Sequence, residues 1–400
     1  MARLLPSRPG RAVGLVVLLF IVNGLANSVF TPFAPAILVE RGVSPTWLGM
    51  MGAMVSVAYI GLASAWGHLA DVLLGRGRAL ALAIGLAAGL LAAFALPLPL
   101  VGVGLTYMAF STVYGLLFPL QDALAVNTLA DPGRQYGQVR ALQSGAFAVG
   151  SLLAGAIFER LGYGAAVPAF IVLAVPVIAV AVVIPDVGRA KLSDRGRGGA
   201  MREALAIQPR LPRVLLAIGL ANVGVFAMLT FLPLLIDRLG GKSGDIGLAV
   251  GITAALEVAA LPAVSRLLVR FGPRAVVTVG IALLAVVFAG FALAPSPGVV
   301  IAVAVLYGVA WSAMWAGSVT TISQLLPAAL QGSGQGLLSL TTAGIASFVA
   351  NVGGGLLWGG FGPMTLFGLA AGLAAVGAAT AWWSLAPDGP RLGMAELPAA

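Results

Sequence analysis

Residues 186–211, DVGRAKLSDRGRGGAMREALAIQPRL, form the one long polar stretch in a 400-residue chain that is otherwise close to hydrocarbon. The chain is 60% hydrophobic and 9% charged, whereas a soluble globule carries about 25% charge. An ordinary soluble fold is therefore excluded, and the chain reads as a polytopic membrane protein. Spanning helices need roughly 20 apolar residues each. Breaks at charges, Pro and Gly divide the rest of the chain into twelve such runs, at about 12–38, 46–70, 78–97, 100–128, 136–158, 164–185, 212–236, 244–268, 275–294, 298–325, 332–357 and 362–386. The polar stretch splits them into six and six.

Charge fixes the expected orientation. With the N-terminus inside, eighteen Lys and Arg residues fall on or towards the cytoplasmic face, and only Arg41, Arg160, Arg238 and Lys242 fall outside. The positive-inside rule then puts both termini in the cytoplasm, which an even number of spans satisfies. The first twenty residues, with Arg3, Arg8 and Arg11 ahead of an apolar run, look like a signal peptide. The run continues to Val39 without a cleavage site followed by a soluble domain, so it reads as a retained first span.

The two halves align on each other. A shift of 198 residues places Phe33 on Phe231, Pro35 on Pro233, Gly49 on Gly247 and Pro97 on Pro295. Parallel repeats of six spans leave this pattern. The organisation expected is an N-terminal six-helix bundle over 1–185, a cytoplasmic linker over 186–211, a C-terminal six-helix bundle over 212–386, and a cytoplasmic tail over 387–400.

Cysteine is absent and His68 is the single histidine, so no thiolate or histidine cluster offers a metal site. No set of His, Cys or paired carboxylates forms a catalytic constellation, which disfavours an enzyme. The net charge of +9 reports topology here rather than nucleic-acid binding. A non-transporting sensor would need an output domain larger than the 26-residue linker.

A second stretch carries the chemistry. Residues 119–147, PLQDALAVNTLADPGRQYGQVRALQSGAF, place Asp122 and Arg140 on the two arms of a turn at Asp131-Pro132-Gly133-Arg134. At 1.5 Å per residue their depths from the turn are about 13 and 9 Å, a difference that an arginine side chain covers. Charges inside a span are costly and usually face a water-filled cavity. A guanidinium suits vicinal hydroxyls or a carboxylate, and an aspartate accepts hydroxyl protons. Gln143 and Ser144 share the Arg140 face. The pair also reads as a structural tie between two helices, and Arg140 as a snorkelling cation.

Glu257, about thirteen residues into the eighth span, is the other deep acid and a candidate proton carrier; a protonated structural donor is its other reading. Asn23 and Asn27, and Asn222, Phe226 and Thr230, repeat every four residues on spans one and seven. Tyr307, Trp311 and Trp315 do so on span ten. The asparagines read either as ligands or as glue between helices, the aromatics either as a stacking surface or as packing.

Two six-span halves, a basic linker and GHLADVLLGRGR at Gly67–Arg78 resemble the major facilitator superfamily, an all-α membrane fold of two six-helix pseudo-repeat bundles. Its signature loop matches Gly67, Asp71, Gly75, Arg76 and Arg78 with one inserted residue, and the resemblance implies a latch that opens as the halves rock. The second copy, Ser265 to Arg274, loses the acid to Val269. Asp-Ala-Leu followed by Tyr-Gly-x-Val-Arg resembles the branch holding the lactose and nucleoside permeases. By that resemblance Asp122 and Arg140, eighteen apart, bind substrate hydroxyls, Phe147 stacks on a ring, and spans one and seven line the cavity. Substrate contacts are then expected at Asp122, Arg140, Gln143, Phe147, Asn23, Asn27, Asn222 and Trp311, and proton coupling at Glu257 and Asp122. The permease's further proton machinery is missing: its histidine position falls on Tyr307 and its glutamate on Ala310. The second-half counterparts of Asp122 and Arg140 are Gly317 and Gln335, so asymmetric binding is expected.

The resulting expectation is a monomeric multi-pass carrier of the prokaryotic cell membrane. It moves a sugar, oligosaccharide or nucleoside without a cofactor, with a proton as coupling ion. An exporter of lipophilic compounds is the alternative, suited by the uncharged aromatic second half.

Overall fold

The computed structural model describes residues 9–70, 74–129, 131–184 and 197–385. Every regular element among them is helical, as required where no water is available to pair backbone groups. Eleven helices are long and apolar enough to cross a membrane. One of these, Ser243–Leu293, runs for 51 residues and leaves helical geometry at Gly272, whose φ of +76° suits glycine. It therefore supplies two spans, making twelve.

In chain order, span 1 is Pro9–Ser28, continued after a turn by Ala34–Glu40. Spans 2 and 3 are Pro45–Leu69 and Arg76–Ala93. Span 4 is Leu100–Gly115 and, past a hitch at Leu116, Leu117–Thr128. Spans 5 and 6 are Pro132–Leu161 and Ala166–Val183. Span 7 is Leu211–Arg238, spans 8 and 9 flank Gly272, and span 10 is Pro297–Leu325. Span 11 joins Ala328–Ser339 to Ser347–Phe361 through a π-helical stretch, Leu340–Ala346, and span 12 is Pro363–Ser384. Local chemistry sets the starts. The Ser44 hydroxyl accepts from the Trp47 amide at 3.3 Å before Pro45, and the Asp245 carboxylate accepts from the Lys242 amide at 2.8 Å where span 8 begins.

The polar stretch between the halves is not all loop. Arg197–Ile207 is helical, and its Ala204 is buried with Leu211, Ile218, Ile322 and Leu330 of spans 7, 10 and 11. An apolar stripe in an otherwise basic segment docks this linker helix on the second half.

Two bundles result. The first is centred on aromatics: Phe30 meets Phe94 and Phe110 edge-on, and Phe110 stacks on Tyr114 at 5.5 Å. In the second, Phe231 stacks on Trp358 and Phe291 meets Phe367. The bundles touch through glycine. Gly49 of span 2 lies against the backbone of Asn351 and Gly355 in span 11, and Gly247 of span 8 lies against Ser151 and Gly155 in span 5. A Cβ at either position would collide with backbone, so only glycine allows this approach. Gly49 and Gly247 correspond under the 198-residue repeat. Hydrogen bonds line the same seams, from Thr46 to the Gly355 carbonyl at 3.1 Å and from Ser243 to the Gly155 carbonyl at 3.2 Å. Deeper in, the Ser56 and Ser347 hydroxyls meet at 3.0 Å. These contacts gather at the ends of the spans remote from the linker, called the far end below.

Candidate functional site

Asp122 and Arg140 face each other on the second part of span 4 and on span 5. An Arg140 terminal nitrogen lies 3.5 Å from the Asp122 carboxylate, with the side chains 44% and 37% exposed. The same nitrogen donates to Gln143 Oε1 at 2.9 Å, one helical turn along, so the guanidinium is held from its own helix and from the neighbouring one. Tyr136 lies close to the Asp122 carboxylate. Tyr136 and Arg140 lie four apart on one face of span 5. Tyr59 of span 2 is near enough to feel the Asp122 charge.

The second half also contributes charge. Glu257 of span 8 lies within electrostatic reach of Arg140, and Trp311 of span 10 is its aromatic neighbour. Spans 8 and 10 touch backbone to backbone here, because Gly308 leaves no room for a side chain against Thr253 and the Glu257 amide. The Ser312 hydroxyl donates to the Glu257 carbonyl at 3.0 Å, fixing the register between Glu257 and Trp311. The aromatic stripe forms a ladder: Tyr307 stacks on Trp311 at 6.3 Å and 8°, and Trp311 on Trp315 at 5.4 Å and 15°. Tyr307 is buried, whereas Trp315 is exposed.

Arg140 thus pairs with Asp122 of the first half and lies within electrostatic reach of Glu257 of the second, whereas the sequence reading kept Glu257 apart from the Asp122–Arg140 pair. The expected asymmetry changes with it. Gly317 is pressed against Val277, and Gln335 donates to the Val319 carbonyl at 3.1 Å. The second half places its charge at Glu257 instead of at either counterpart.

Other expected contacts are placed differently. Asn23 is 2% exposed; it donates to Gln121 Oε1 at 2.6 Å and accepts from the Tyr114 hydroxyl at 3.1 Å. Asn222 is fully buried and donates to the Ile218 carbonyl at 2.8 Å. In this arrangement both amides are enclosed and tied within their own bundles. Asn27 accepts from Thr31 at 2.7 Å, and Phe147 is half-buried. Thr230 donates to Asn351 at 3.0 Å, within the second bundle.

Of the latch residues, Gly75 has φ +80° at the start of span 3, Arg76 is buried and Arg78 is exposed, and Gly67 lies on span 2. Asp71 lies outside the described residues. Among the described residues no cluster of three or more His, Cys, Asp or Glu could hold a metal ion.

Sequence reasoning missed Tyr136, Tyr59 and the reach of Glu257 to Arg140. The four-residue spacing from Tyr136 to Arg140 was a usable signal. Contacts between spans of different halves leave none in a single sequence.

Two six-span bundles, sealed against each other at one end and holding charged groups between them, make a membrane transporter. Residues 14–369 match the MFS_1 like family, and the chain belongs to it, within the major facilitator superfamily. A maltose permease from Geobacillus stearothermophilus is 30% identical over 168 residues, covering 40% of this chain and 41% of that protein, so the match spans about two fifths of the relative's length. Among solved structures, a mutant of the nucleoside transporter NupG matches with a TM-score of 0.80 at 16% identity, covering 94% of this chain and all of that one. A bacterial homologue of the iron transporter ferroportin in an inward-facing state matches at 0.76 and 16% identity, over 95% of this chain and all of the other. At these identities the structures share the fold.

Proposed function

We propose that this chain moves a small hydroxylated solute, a sugar, oligosaccharide or nucleoside, across the cell membrane by alternating access, with a proton as coupling ion. The observation that carries the reading is Arg140, 3.5 Å from Asp122 of the first half and within electrostatic reach of Glu257 of the second. Hydroxyls entering between the halves replace these contacts with equivalent ones: the guanidinium donates and the carboxylates accept. Binding both halves at once is what draws them together on the open side. Partial similarity to a maltose permease and fold similarity to a nucleoside transporter support the same solute class.

With both termini in the cytoplasm, the glycine seams at the far end face outside and the site opens inward. The halves, 1–185 and 212–386, rock about the site, and one copy suffices because the site is complete within the chain. Glu257 exchanges its proton when Arg140 turns to the solute. An apolar guest fits poorly between three charges that would each lose a partner, so the exporter reading falls behind.

The test is uptake of radiolabelled sugars and nucleosides by proteoliposomes. Accumulation that Asp122→Asn and Arg140→Gln abolish supports the proposal. Uptake indifferent to both substitutions overturns it.

A further inference from the structure

The linker end of the second half carries a basic, aromatic surface that solute transport does not use. At the end of span 12, Trp382 and Trp383 are more than half exposed. The Arg274 guanidinium, at the start of span 9, lies 3.9 Å above the Trp382 ring, and its Nε donates to the Trp382 carbonyl at 3.1 Å. On the other flank Arg213, at the start of span 7, stacks over Trp383 at 5.4 Å. Beyond Arg274 the turn between spans 8 and 9 presents Arg266 and Arg270 beside the exposed Val269 and Phe271.

The acids of the second half do not answer this charge. Among the described residues, spans 7 to 12 contain only Asp237, Asp245 and Glu257; the first two sit at the far end and the third in the site, and Glu203 of the docked linker helix is exposed and pairs with neither Arg213 nor Arg274. Both guanidinium groups stand over indole rings instead of pairing with a carboxylate, and the one bond Arg274 makes uses its Nε, which leaves its terminal nitrogens for an oxyanion. Tryptophan at the end of a span sits at headgroup level, so the donors stand where lipid phosphates lie.

We infer that Arg213, Arg274, Trp382 and Trp383 form a site for the phosphate of an anionic phospholipid on the linker-side leaflet, on the surface where span 12 packs between spans 7 and 9. The indoles hold the arginines level and cover the upper acyl chains, while the guanidinium nitrogens bind the phosphate oxygens. The bare basic turn at 266–270 adds attraction to the same surface. The inference needs the membrane-spanning architecture but not the solute, so its failure and the failure of the transport proposal are separable.

The experiment is native mass spectrometry of the delipidated full chain in detergent, titrated with phosphatidylglycerol, phosphatidylcholine or sodium phosphate. Phosphatidylglycerol should bind stoichiometrically before phosphatidylcholine does, and sodium phosphate should not displace it. Arg213→Gln with Arg274→Gln should weaken phosphatidylglycerol about tenfold or more, at about 1 kcal/mol for each arginine near a lipid surface. Arg160→Gln, at the far end, should leave it unchanged. Should the double variant fail to fold, Arg213→Gln alone, exposed at its helix start, should weaken binding about threefold or more. Equal binding of phosphatidylcholine, displacement by sodium phosphate, or unaltered affinity in the arginine variants overturns the proposal.

Discussion

The Ser312 hydroxyl donates to the Glu257 carbonyl at 3.0 Å, which sets Glu257 beside Trp311, the middle ring of an aromatic ladder. The deep acid of the second half and the aromatic ladder therefore sit side by side. Trp311→Phe keeps the ring and removes the donor. It should lower apparent solute affinity about tenfold, the worth of a hydrogen bond to a charged group, while Trp315→Phe should change it little. Equal effects of the two substitutions in proteoliposome uptake would separate the ladder from the charge.

Arg140 meets both Gln143 and Asp122 through one terminal nitrogen, which leaves the rest of its planar fork for a solute. Arg140→Lys retains the charge but not the fork. Uptake should fall about 10- to 100-fold, in proportion to one or two charge-assisted hydrogen bonds. Near-normal uptake with lysine would mean that charge alone suffices.

If Glu257 carries the coupling proton, Glu257→Gln should still exchange solute across the membrane but no longer accumulate it. Solute added to de-energised cells should alkalinise the medium with the native chain and should not do so with the variant. Continued alkalinisation would place the coupling on Asp122.

Gly49 and Gly247 seal the far end by backbone contact. Gly49→Val with Gly247→Val should prop that end open. Because the chain contains no cysteine, a single Thr230→Cys can report the change, with faster labelling by an impermeant maleimide in the double variant. An unchanged labelling rate would show that the seam repacks around the valines.

Asn23 joins Gln121 and Tyr114 inside the first bundle. Asn23→Ala should cost about 1–3 kcal/mol by stranding buried partners, seen as a lower melting temperature in detergent. Solute affinity should stay unchanged; a tenfold loss of affinity with normal stability would restore Asn23 as a ligand.

The architecture was legible because a bilayer imposes length and polarity on each helix, and because the repeat preserved prolines and glycines at matching positions. Asp122 and Arg140 were legible because a charge in a span has few harmless explanations. Asn23 and Asn222 were ambiguous for a related reason: an amide four residues from another polar group looks the same facing water or a neighbouring helix, and only packing decides. The reach of Glu257 to Arg140 could not be read because it spans 117 positions of the chain and two bundles whose relative placement no local pattern encodes.

The far-end seams are built from glycine backbones, serines and a threonine, and an ion pair near them, Lys242 with Glu159 at 3.2 Å, is largely exposed. Separating such surfaces moves almost no charge through the membrane field, so opening this gate is electrically silent. A field of 100 mV works on each elementary charge with about 2.3 kcal/mol, and here it can grip only the ionic groups of the central site. Any voltage dependence of transport should therefore follow substitutions at Asp122, Arg140 and Glu257, and ignore those at the glycines.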